Sequence, residues 1–125
     1  MEKYKMWGYH AIFDCANCDF ASITNPDVLK EWVEALVEEI EMVPYGDPQI
    51  IHFGHNEEHL AGWTVLQFIE TSNIMAHFCD NSKEAYIDVF SCKPFSVETA
   101  LEVINRFFNP SKIRTTFLTR QADTI

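Results

Sequence analysis

The chain has 125 residues, 47% of them hydrophobic and 14% aromatic, which is enough for one buried core and too little for two, so one domain across 1–125 is expected. Nineteen Asp and Glu against nine Lys and Arg give a formal net charge of −10, which opposes the phosphate attraction that nucleic-acid binding depends on. No apolar stretch approaches the length of a bilayer span and Met1–Lys5 lacks the apolar core of a secretion signal, so the expectation is a soluble cytoplasmic protein, with no nucleic-acid or membrane partner and with its four cysteines reduced.

Tyr9 to Asp14 reads as a first strand, closed by the turn-rich Asn17-Cys18-Asp19. A helix follows, with Asn25 as N-cap and Pro26 at its first position. Leu29, Trp32, Val33, Leu36, Val37 and Ile40 fall on one face, and Glu31, Glu34, Glu38, Glu39 and Glu41 form a solvated opposite face. Gln49–Phe53, Trp63–Ile69, Ile74–Cys79 and Ala85–Cys92 read as four strands, the last two joined by the polar turn 80–84. Ser96 caps a second helix whose apolar face is Val97, Ala100, Leu101, Ile104 and Phe108, and Ile113–Thr119 is the final strand. That order predicts an α+β fold: a two-layer αβ sandwich with a mostly antiparallel sheet and two helices packed on one face. The other face holds many aromatics, and a second copy of the chain would cover it.

Three groups of residues carry possible chemistry. Cys15-Ala16-Asn17-Cys18 has redox spacing, but the helix cap Asn25 lies seven residues beyond Cys18, so no helix N-terminus stabilises a thiolate and the pair reads as reduced turn cysteines. His52, His55 and His59 lie among Glu57 and Glu58, yet Asn56 stands where the zinc-protease helical motif needs Glu, and Gly54 and Gly62 argue for a polar loop; no metal is expected. Ser72, with His77 five residues on and Cys92 after Asp88-Val89-Phe90-Ser91, is the third group. By themselves these are ordinary sheet residues, since no Gly-x-Ser-x-Gly elbow surrounds Ser72.

Taken with their spacing, they resemble the prokaryotic pyruvoyl-dependent S-adenosylmethionine decarboxylases from about Gly8 to Arg120. His10-Ala11-Ile12-Phe13-Asp14 with Asn17-Cys18-Asp19 is similar to the family's first strand and its Gly-Cys-Asp. Thr71-Ser72-Asn73-Ile74-Met75-Ala76-His77 resembles the Glu-Ser-His motif with its later His, and Asp88-Val89-Phe90-Ser91-Cys92 resembles Asp-Val-Phe-Thr-Cys. The resemblance implies that Ser72 attacks the Thr71 carbonyl, that the Thr71–Ser72 bond is cleaved, and that a pyruvoyl cofactor forms from Ser72. His77 would be the processing base and Thr64, in place of a family Ser, its assistant. Substrate amine would condense with the pyruvoyl ketone, carbon dioxide would leave, and Cys92 would return the proton. Phe53 resembles an aromatic that stacks on adenine. Asn81 falls where the family's Trp-Pro-Glu, here Cys79-Asp80-Asn81, holds the ribose with its Glu.

The chain departs from the family pattern at Thr71 (family Glu), Asn73 (family His), Met75 (a small polar residue) and Asn81. Three functions are therefore distinguished: decarboxylation of S-adenosylmethionine to the aminopropyl donor for spermidine, pyruvoyl-dependent decarboxylation of another amino acid, and an unprocessed, inactive partner of an active homologue. The resemblance further implies a homodimer with substrate sites at or near the subunit interface.

Overall fold

Six strands form one sheet in the order β2-β3-β4-β5-β1-β6, and every neighbouring pair runs antiparallel. The strands are β1 (Gly8–Ala16), β2 (Gln49–Phe53), β3 (Gly62–Ile69), β4 (Ser72–Cys79), β5 (Glu84–Ser91) and β6 (Lys112–Arg120). The structure, a computed structural model, describes residues 6–54 and 56–123.

Side chains alternate across each strand, and the inward set decides which face the helices cover. Ala11, Phe13, Val65, Ile74, Ala76, Ile87 and Val89 are fully or almost fully buried in one cluster with Leu29, Trp32, Val33 and Leu36 of α2 (Pro26–Glu39) and Ala100, Val103, Ile104 and Phe108 of α3 (Val97–Phe108). Trp32, Phe78 and Phe108 meet at its centre, with ring centroids 5.0–5.7 Å apart. The expected helix starts hold: Asn25 Oδ1 accepts the Asp27 amide at 3.0 Å and Ser96 Oγ accepts that of Thr99 at 3.1 Å. Arg106 grips Glu39 through both guanidinium arms at 2.7–2.9 Å, which ties α3 to α2.

The predicted sandwich is the observed one, with a third helix added. Phe20–Ile23 forms a single turn, α1, capped by Asp19, whose Oδ2 accepts from the Ser22 amide and hydroxyl. Three of its four side chains are apolar but only Ile23 is buried, and a single turn is too short for a periodic stripe to mark it in the sequence. Several strand limits also differ from the expectation: β1 runs from Gly8 to Ala16 and so includes Cys15, and β3, β5 and β6 each start one residue earlier, at Gly62, Glu84 and Lys112. β4 begins at Ser72, two residues earlier than Ile74, and β5 ends at Ser91, one residue before Cys92. On the uncovered face, Ile51, Phe68, Met75, Tyr86 and Leu118 stay 42–47% exposed.

Candidate functional site

The β3–β4 hairpin closes through only two residues, Glu70 and Thr71, because Ile69 already pairs with Ser72. Two-residue hairpins favour turns whose central residues have positive φ, which matches strand twist. Neither Glu70 nor Thr71 adopts one; Ser72 does instead, at +157°. The turn is pinned from both sides. The Glu70 amide donates to the Val43 carbonyl at 2.9 Å, and the Cys92 amide donates to the Thr71 carbonyl at 3.0 Å. A hydrogen bond to that carbonyl withdraws electron density from its carbon, the atom a neighbouring hydroxyl would attack. Ser72 Oγ, next along the chain, accepts from Asn73 Nδ2 at 3.3 Å. Cys92 itself is half-buried.

A second group lies toward the other end of the same strands. Thr64 and His77 are cross-strand partners on the uncovered face, with Oγ1 2.8 Å from Nδ1. His77 Nε2 lies 3.1 Å from the Leu60 carbonyl, which can only accept, so in the neutral ring Nε2 carries the proton and Nδ1 offers its lone pair to the Thr64 hydroxyl. Leu60 reaches this position because residues 57–61 turn back onto Gly54, with the Glu57 amide donating to the Gly54 carbonyl at 3.0 Å and the Leu60 amide to the Glu57 carbonyl at 2.9 Å. Gly54 has φ +78° and an added Cβ there would sit 2.6 Å from the Leu60 oxygen, while a Cβ on Gly62 would overlap the Phe78 carbonyl. Phe53, half exposed, pairs with Gly62 at this same end, and Asn81 is exposed in the β4–β5 turn. Its neighbour Asp80 binds His52 Nε2 at 2.7 Å.

Sequence order made Ser72, Thr71, Cys92, Thr64 and His77 look like one group, and the structure separates them into two. Ser72 and His77 are five residues apart on one extended strand, a span of about 17 Å at ~3.4 Å per residue. Thr71, Ser72 and Cys92 meet at one end of the sheet; Thr64 and His77 meet toward the other, with Phe53 and Asn81 on that side. The rise of an extended strand already carries this signal, since five residues span far more than hydrogen-bond reach. The Cys92 amide and the Leu60 carbonyl are backbone groups that no motif announces, and the buried Ser91 hydroxyl, which lies 2.7 Å from Thr71 Oγ1, stands inside the Asp88–Cys92 motif without a role assigned to it.

Of the other two clusters, Cys15 lies in β1 and His52 in β2, while Cys18 and His59 lie outside the strands and helices. Cys15 and Cys18 are buried, and burial pushes their thiols up to about 12 and about 11, with the charges of Cys18 and Asp14 adding to the rise at Cys15 and that of Glu84 to the rise at Cys18. Thiols held in that state do not supply a reactive thiolate. In the histidine cluster, His52 is engaged with Asp80, His59 lies 3.9 Å from Glu57, and His55 falls outside the described residues.

The family model for S-adenosylmethionine decarboxylase matches residues 9–121, nearly the whole chain. The chain belongs to the S-adenosylmethionine decarboxylase family. Two relatives named S-adenosylmethionine decarboxylase proenzyme, from Clostridium botulinum strains Loch Maree / Type A3 and 657 / Type Ba4, are each 27% identical over 88 residues, 70% of this chain and 71% of theirs. The crystal structure of the adenosylmethionine decarboxylase from Aquifex aeolicus VF5 has the same fold, with a TM-score of 0.79 at 22% identity over 94% of this chain and 93% of that one. Membership bears out the family resemblance read from the sequence, and the shared fold agrees with the α+β sandwich. No helix among the described residues is long and apolar enough to cross a membrane.

Proposed function

We propose that this family member is a single-domain, self-processing decarboxylase that cleaves its own Thr71–Ser72 bond and then acts on S-adenosylmethionine, giving the aminopropyl donor for spermidine synthesis. The observation that supports it is the Cys92 amide on the Thr71 carbonyl beside the Ser72 hydroxyl. Ser72 Oγ attacks that carbonyl carbon, the C–N bond breaks, an ester forms and the freed amine takes the hydroxyl proton. Loss of the Ser72 α-proton to a base then breaks the Cβ–O bond and releases Thr71 as a carboxylate. The dehydroalanine left behind tautomerises, takes up water and sheds ammonia, leaving a pyruvoyl group. That group supplies a ketone that captures the substrate amine and accepts the electrons freed when carbon dioxide leaves.

The residues present fit this chemistry once a second copy is added. His77, with its lone pair on the Thr64 hydroxyl, lies about 17 Å from Ser72 of its own chain, too far to take a proton from it. A two-fold homodimer through the uncovered sheet face brings the Thr64–His77 end of one protomer to the Ser72–Cys92 end of its partner, and it covers Ile51, Phe68, Met75, Tyr86 and Leu118. Cys92 then holds a transferable thiol proton beside Ser72, and Phe53 and Asn81 stand at the Thr64–His77 end to contact adenine and ribose.

Intact mass of the denatured protein, with Ser72→Ala as the uncut control, tests the reading. Two fragments divided at Thr71–Ser72, the second carrying pyruvoyl, are expected. A single full-length mass that persists through long incubation overturns self-processing and leaves a non-catalytic partner role. Release of carbon dioxide from an amino acid other than S-adenosylmethionine overturns the substrate alone.

A further inference from the structure

We propose that Ser91 is a positioning residue for the Thr71–Ser72 cleavage, an inference that rests on the self-processing reading. The inward side of β5 is otherwise apolar, formed by Ala85, Ile87 and Val89, yet it ends in a serine with no exposed surface. A polar group in such a place is kept where it has partners, and the group that takes the Ser91 proton is the side chain of Thr71, the residue before the bond to be cut. Its Oγ accepts the Lys93 amide at 2.9 Å and lies 2.7 Å from Thr71 Oγ1. Met42 Sδ is also near, at 3.7 Å, but a thioether is a weak acceptor, so the Ser91 proton goes to Thr71. The Thr71 hydroxyl then donates onward to Met42 Sδ at 3.4 Å. The chain of donors has one direction: Lys93 amide, Ser91 hydroxyl, Thr71 hydroxyl, Met42 sulfur.

Residues 91 and 92 thus hold Thr71 at two points, the first by its side chain and the second by its carbonyl oxygen. One bond to the oxygen alone leaves the Thr71 peptide free to rock about that bond. The side-chain anchor removes this freedom and fixes the direction from which Ser72 Oγ meets the carbonyl carbon. Lys93 holds the far side, its Nζ donating to the Glu41 carbonyl at 2.7 Å next to Met42. Misplacement of reacting atoms by an ångström costs about 100-fold in rate, which sets the scale of what a lost anchor does.

The test compares the rate of self-cleavage, read by mass, in freshly made wild type, Ser91→Ala, Ser91→Thr and Thr71→Val, with thermal unfolding of each recorded in parallel. Ser91→Ala and Thr71→Val are expected to cut about 10-fold or more slowly, Ser91→Thr to stay within about 3-fold of wild type, and the Ser91→Ala/Thr71→Val pair to be no slower than its slower single variant. A purely structural role would lower the unfolding temperature of Ser91→Ala while folded protein cut at the wild-type rate, and that result overturns the proposal. So does an undiminished rate in Thr71→Val. Wild type that never cuts overturns the self-processing reading and this inference together, whereas wild type and Ser91→Ala cutting equally overturn this inference alone.

Discussion

Thr64 Oγ1 and His77 Nδ1 sit 2.8 Å apart across β3 and β4, and the Leu60 carbonyl on Nε2 directs the lone pair of the neutral ring toward that threonine. Thr64→Val keeps the shape and removes the hydroxyl. Self-cleavage measured by mass is expected to slow by about 100-fold, within the range general acid–base assistance supplies, while Thr64→Ser cuts at close to the wild-type rate. Equal rates in Thr64→Val and wild type would remove Thr64 from the machinery.

Division of the site between two chains has a direct genetic test. Ser72→Ala and His77→Ala are each expected to be inactive as homodimers, but their co-expression assembles mixed dimers in which one of two sites is whole. Decarboxylation near a quarter of the wild-type rate is expected from random mixing, since half the dimers are mixed and each has one working site. No recovery in mixed dimers isolated by two affinity tags would sink the shared site.

The uncovered face supplies a second test of assembly. Met75 lies mid-strand in β4, paired with Leu66 of β3 on one side and Asp88 of β5 on the other, and is 44% exposed. Met75→Glu is expected to leave the circular dichroism spectrum unchanged and to shift sedimentation to the monomer, because an interface core tolerates an unpaired charge poorly.

Glycine matters at the turn of the loop that carries Leu60. A Cβ on Gly62 would overlap the Phe78 carbonyl, and backbone cannot yield as a side-chain tip does. Gly62→Ala is expected to cost about 2 kcal/mol or more in urea unfolding, against about 1 kcal/mol for Gly46→Ala, whose φ of +73° is strained for alanine but whose surroundings are open.

Alkaline pH should expose the buried thiols. Cys15 and Cys18 ionise at about 12 and about 11 in the fold against 9.0 for a free thiol, and Tyr86, which donates to Glu84, at about 12 against 10.0. Raised values mean that the protonated forms stabilise the fold, fully below pH 9 and progressively less as pH climbs toward 12. The urea midpoint is expected to fall across that window, and less steeply in Cys15→Ala/Cys18→Ala. A midpoint that ignores pH between 9 and 11 contradicts this.

What the sequence made legible follows physical periodicity. The α2 stripe from Leu29 to Ile40, the caps Asn25 and Ser96 and the alternation of the strands are local signals, and each element they mark is present. Helix α1 was not legible, because four residues carry no period. Among the candidate site residues, Ser72 and Cys92 were found through motif spacing, but their relation to each other runs through an amide of Cys92 and a carbonyl of Thr71, groups every residue has. Distance along the chain also hid distance in space: five positions is a short step in sequence and a long one on an extended strand.

A cut at Thr71–Ser72 divides the sheet in an unusual way. The leading segment owns β1, β2 and β3, the trailing one β4, β5 and β6, and in the order β2-β3-β4-β5-β1-β6 the strand β1 lies between two strands of the other piece. The halves are therefore interleaved and cannot drift apart without drawing a nine-residue strand out from between its neighbours. A severed molecule would hold together under native conditions. Once fully denatured, it would face a bimolecular search to rebuild, so its recovery would depend on protein concentration where the uncut precursor's would not.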